Sequence, residues 1–132
     1  MKKNGFTLIE LVMVIIILGI LAAVAIPKFF DLQSKAKESA ELGVVGSVRA
    51  GIHNYYAKHA IDNPGDQNTS HWPATLDGVA TATDCSTTNP CFVNVLEQGG
   101  ITSGDWTKSG ATSWTGPNGT SYSYSAADGS FK

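Results

Sequence analysis

Residues 11–26 carry no charged side chain, and extending the run back to Phe6 gives 21 positions interrupted only by Thr7 and Glu10. As a helix rising about 1.5 Å per residue, such a segment reaches across the roughly 30 Å hydrocarbon layer of a bilayer. Lys2 and Lys3 precede it, so charge bias keeps the N-terminus cytoplasmic and sends everything after Ile26 outward. A plain anchor accounts for the length but not for Glu10, because an ionisable group inside a membrane segment is expensive and normally marks function. A cleaved secretory signal accounts for the basic start and for Ala23-Val24-Ala25, a small-residue cleavage pattern. Yet the apolar region of such a signal usually runs about 7–15 residues and should hold no glutamate.

Beyond Pro27 the pattern becomes amphipathic. Phe29, Leu32, Ala36, Ala40, Val44, Val48, Ile52, Tyr55 and His59 follow at steps of three or four, one face of a helix. Lys28, Asp31, Lys35, Glu38, Glu41 and Arg49 largely occupy the other face. Gly19 weakens the preceding stretch, and Pro27 removes one intrahelical bond and kinks the helix without having to end it. Asn63-Pro64-Gly65 stops it. The expectation is one long helix over residues 6–60, apolar first and amphipathic second.

The remaining half is of another character. Residues 1–60 hold seven basic and four acidic side chains, whereas residues 61–132 hold two and seven. Asn89-Pro90 ahead of residues 91–98, closed by Gly99-Gly100, predicts a short capped helix. Ser121-Tyr122-Ser123-Tyr124-Ser125 alternates as a half-buried strand should. Asn118-Gly119 turns it back onto residues 112–115 around Trp114, and Asp128-Gly129 makes a second turn into Phe131. With 132 residues there is room for one compact domain. The fold class is therefore α+β: a long N-terminal helix against a small antiparallel sheet, each with one apolar face to bury.

Few other chemistries survive inspection. The net charge of -2 and the lack of a Lys/Arg run argue against a nucleic-acid partner. His53, His59 and His71 have no metal-ligand spacing, and no nucleophile elbow, phosphate loop or cofactor motif is present. Asp105, Asp128 and Asn118 could contribute to a calcium site, but no loop spacing supports one and solvated carboxylates explain them. Asn68-Thr69-Ser70 and Asn118-Gly119-Thr120 match the glycosylation triplet, which arises readily in Asn/Ser/Thr-rich sequence. Phe29, Tyr55, Tyr56, Trp72, Trp106, Trp114, Tyr122 and Tyr124 are better read as core and sheet face than as a conducting array. Cys85 and Cys91 form one small-loop disulfide if the chain is exported, with buried free thiols as the alternative.

The stretch Gly5-Phe6-Thr7-Leu8-Ile9-Glu10-Leu11-Val12, behind a short basic leader, resembles the processing site of type IV pilins and of the related pseudopilins of type II secretion. The resemblance continues through residues 19–27 and fades in the polar half. It implies that residues 1–5 are a leader, removed between Gly5 and Phe6 by a membrane-embedded prepilin peptidase, with N-methylation of Phe6. Residues 6–27 would be the membrane and polymerisation helix, 28–60 the amphipathic helix and 61–132 the head. Glu10 would pair with the Phe6 amine of a neighbouring subunit and set axial register; Gly19 and Pro27 would let the helix melt in the filament. Several pilins also close a loop in the C-terminal half, where Cys85 and Cys91 stand. The implied partners are further copies of the chain, membrane lipid before assembly, and an inner-membrane assembly platform with its ATPase. No cofactor and no enzymatic role are implied. A pilus subunit is the leading reading, a major pseudopilin the alternative, and a secreted or anchored binding domain the rival.

Overall fold

The computed structural model describes residues 5–65 and 71–132. Lys2, Lys3 and the triplet at Asn68 lie outside the described residues. The chain divides into two compact units, Met1–Ala36 and Lys37–Lys132.

Helix α1 (Leu8–Asp62) contributes to both units and is helical without a break, Gly19 and Pro27 included. It starts and ends two residues later than the periodicity predicts, because Thr7 acts as the cap and the stop signal begins at Asn63. In the first unit almost every described side chain faces solvent; from Gly5 to Ala36 only Val12 is even half-buried. Phe29 and Leu32, expected on the packed face, are 70% and 68% exposed.

In the second unit the face of α1 that packs is Glu41, Val45, Val48 and Ile52, at steps of four, three and four. This stripe is rotated from the predicted one: Val48 and Ile52 are retained, Val44 is only partly buried, and Glu41 moves from the polar face into the core. Five short strands, β1 (Thr83–Asp84), β2 (Thr107–Gly110), β3 (Ser113–Thr115), β4 (Ser121–Ser125) and β5 (Ser130–Phe131), form one antiparallel meander in sequence order. β4 alternates as expected, with Tyr122 and Tyr124 inward and Ser121 and Ser123 outward. The turn before it closes through Gly119, whose amide donates to Gly116 O at 2.9 Å and whose φ of 80° suits a residue without Cβ. Inward side chains of the sheet join Leu76, Phe92, Trp106 and the α1 stripe in one core.

The short helix predicted over residues 91–98 does not form. Cys91 is drawn into an isolated bridge with Ile101 and a disulfide with Cys85, and Phe92 has a φ of 60°. Beta-branched Val93 and Val95 add little helix propensity, so tertiary ties win over a weak local preference. The segment becomes consecutive turns that approach α1 at Gly51, where any Cβ would overlap the Val95 carbonyl.

Candidate functional site

The start of α1 is built from Thr7 and Glu10. Thr7 N and Thr7 Oγ1 donate to Glu10 Oε2 at 2.9 and 2.8 Å, while Glu10 N donates back to Thr7 Oγ1 at 3.4 Å. This is a reciprocal capping box: Thr7 is the N-cap, Glu10 lies three residues on, and two otherwise orphaned amides are satisfied. Thr-x-x-Glu ahead of an apolar run is the sequence signal for this box, which gives Glu10 a local role beside the assembly role that the resemblance implies. Both Thr7 bonds fall on Oε2. Gly5 and Phe6 precede the cap as exposed, non-helical chain, Phe6 at 83% exposure.

Behind the cap lies an unbroken apolar surface. Ile9, Leu11, Val14, Ile15, Ile16, Ile17 and Leu18 are each between 47% and 65% exposed. Among the described residues α1 is the one helix long and apolar enough to cross a membrane. Apolar area left in water forgoes about 25 cal/mol per Å2, so a surface this size has to be covered by lipid or by protein.

The head residues singled out from sequence take up structural posts. Cys85 and Cys91 are joined in a disulfide, both fully buried. Asp128 Oδ1 accepts from Ser130 N at 3.1 Å within the β4–β5 turn, and bonds from Ser130 and Ser125 hold its carboxyl down at about 2. Asp105 is exposed, and the backbone amide of Asn118 donates to Glu41 Oε2 at 2.7 Å. Among the described residues no group of three or more His, Cys, Asp or Glu gathers. Trp106, Trp114, Tyr122 and Tyr124 are core, whereas Tyr55 and Tyr56 remain exposed on α1.

Two buried carboxylates, Glu41 and Asp77, carry no local signal in the sequence. Glu41 accepts from Tyr122 OH at 2.6 Å as well as from Asn118, tying α1 to the β3–β4 turn. Burial pushes its carboxyl up, but bonds from Tyr122, Asn118 and Thr120 outweigh that and leave it below its ordinary value. Asp77 receives Lys108 Nζ at 2.5 Å, Trp114 Nε1 at 2.9 Å, and the amides of Phe92 and Val79 at 3.2 Å. Lys108 Nζ also lies 5.2 Å from the Trp114 ring centroid.

Comparison with known proteins agrees with this organisation. Residues 1–26 match the family model described as the prokaryotic N-terminal methylation motif. The chain is 35% identical over 97 residues to the type IV narrow pilus major component of Thermus thermophilus, covering 69% of this chain and 80% of that protein. It is 38% identical over 84 residues to a fimbrial protein of Neisseria meningitidis, 62% of this chain and 44% of the relative. Against a fimbrial protein of Eikenella corrodens it is 36% identical over 76 residues, 58% and 49%. The chain thus spans about half the length of the last two. No solved structure matches it. An apolar N-terminal helix with a methylation motif, joined to a small antiparallel sheet, defines the pilin class. The chain belongs to the type IV pilin family.

Proposed function

We propose that this protein is a structural subunit of a type IV pilus, stored in the bacterial inner membrane and then polymerised into an extracellular filament. The observation that carries the reading is the exposed apolar surface of α1 with a single carboxylate, Glu10, four residues after Phe6. A prepilin peptidase removes residues 1–5, and the new Phe6 terminus is N-methylated. Its amine pairs with Glu10 of a neighbouring copy. Desolvated opposite charges enforce register because a misplaced subunit buries both unpaired. Both Thr7 bonds fall on Oε2, so Oε1 is the oxygen offered to the neighbour. An assembly platform and its ATPase supply the work of extraction, and the chain itself has no enzymatic part. The pilus names of the relatives support this reading.

Mass spectrometry of the mature chain tests the proposal. A protein beginning at methylated Phe6 is expected; one beginning at Ile26 has lost the apolar segment and overturns the reading. Glu10→Val should leave processing intact and abolish or cripple sheared filaments seen by electron microscopy, and wild-type filament numbers would remove Glu10 from its role.

A further inference from the structure

His59, in the last turn of α1, and His71, twelve residues on, meet through their Nδ1 atoms at 3.0 Å. Both rings are half-buried and held by aromatic neighbours. Tyr55 stacks on His59 at 6.1 Å and 13°, and Tyr56 stands edge-on to His71 at 5.6 Å and 85°. Tyr56 also packs on Trp72, with ring centroids 4.2 Å apart. Two imidazole lone pairs that converge this closely need something between them. A proton on one Nδ1 answers that need, and so does a metal ion.

We infer that His59 and His71 form a two-imidazole site for a late first-row divalent metal ion, with Cu(II) the best fit. Imidazole nitrogens bind such ions at about 2.0–2.1 Å. At a nitrogen separation of 3.0 Å this gives an N–M–N angle of about 94°. A tetrahedral zinc site would need the nitrogens about 3.3 Å apart, whereas a square-planar or tetragonal ion takes neighbouring ligands near 90°. Cu(II) also tops the affinity order for nitrogen ligands. Among the described residues no third His, Cys, Asp or Glu joins them, which leaves positions on the ion open to water. Asp62 and Glu97 line the same groove as His59 and Lys58, so its charge does not bar a cation.

The test uses the full chain in detergent micelles, without an affinity tag, in a non-coordinating buffer titrated with copper(II) chloride. Trp72 packs against Tyr56 beside the site, so quenching of tryptophan emission follows binding. The wild type should saturate at one copper per chain, with an electron paramagnetic resonance spectrum showing two imidazole nitrogens. His59→Gln and His71→Gln should each weaken binding at least tenfold, and His53→Gln should leave it unchanged. Equal copper affinity in the wild type and the His59→Gln/His71→Gln double variant would overturn the inference, because the terminal amine or surface groups would then hold the ion. The wild-type spectrum stands as a check free of folding effects: one imidazole nitrogen or none also overturns it.

Discussion

The Asp77–Lys108 pair should respond asymmetrically to loss of either partner. Their side chains are 0% and 6% exposed. Asp77→Asn keeps the volume but removes the charge that answers Lys108, leaving an ammonium buried against Trp114 with no anion. Breaking a buried pair from that side is expected to be destabilising by about 3–5 kcal/mol. Lys108→Met is different, because Asp77 keeps three N–H donors, from Trp114, Phe92 and Val79. Hydrogen bonds to a charged group contribute roughly 1.5–3 kcal/mol each, so the carboxylate remains well solvated by the protein. The expected loss is about 1–3 kcal/mol, roughly one lost charged partner. Urea unfolding of the full chain in micelles, followed by tryptophan emission from Trp106 and Trp114, gives both values at constant m. The order is the critical result. If Lys108→Met destabilised as much as Asp77→Asn, Asp77 would not be the hub and the cost would lie in the pair alone.

Glu41 contributes a pH dependence of known sign. Its carboxyl sits below the ordinary value of 4.5 in the folded chain, so its contribution is fully present above that value and disappears as pH falls through the lower folded one. Glu41→Gln should lower stability at neutral pH by about 1–3 kcal/mol and flatten the acid limb of a urea-midpoint series; an unchanged limb would show that other carboxylates set it. Gly51→Ala should destabilise by about 1–3 kcal/mol through overlap with the Val95 carbonyl. Gly46→Ala, with nothing within 4 Å of its Cβ position, should instead stabilise by about 0.5–1 kcal/mol from helix propensity alone, and thermal melting distinguishes the pair.

What could be read from the residues follows the range of the forces involved. The helix, its stop at Asn63, the β4 alternation and the two glycine turns are set by neighbours a few positions apart, and they emerge from pattern. β1 and β2 do not: Thr83–Asp84 and Thr107–Gly110 lack apolar alternation, and their strand form goes with distant pairing, β2 on β3 and β1 in turn on β2. Glu41 looked solvated because its donors, Asn118 and Tyr122, lie 77 and 81 positions away. Asp77 hid for the same reason, with Lys108 31 positions and Trp114 37 positions on. Residues 91–98 show the converse, a local helix signal overruled by a disulfide, a bridge to Ile101 and contact with Gly51.

The capping box changes what the proposed assembly step asks of Glu10. Were the carboxylate free in the monomer, its burial would be unanswered until a neighbour arrived, and membrane storage would be unfavourable by several kcal/mol. With Thr7 donating twice to Oε2, the carboxylate is part-satisfied from within its own chain, and the first turn of α1 is held helical at the same time. An incoming amine at Oε1 then adds a bond without first breaking one. Thr7→Val removes the hydroxyl but keeps the amide, so it should fray the first turn by about 0.5–2 kcal/mol and slow assembly while leaving mature register intact. Filaments of Thr7→Val with altered axial rise would refute the division of labour between the two oxygens, since register would then depend on the cap rather than on the charge pair.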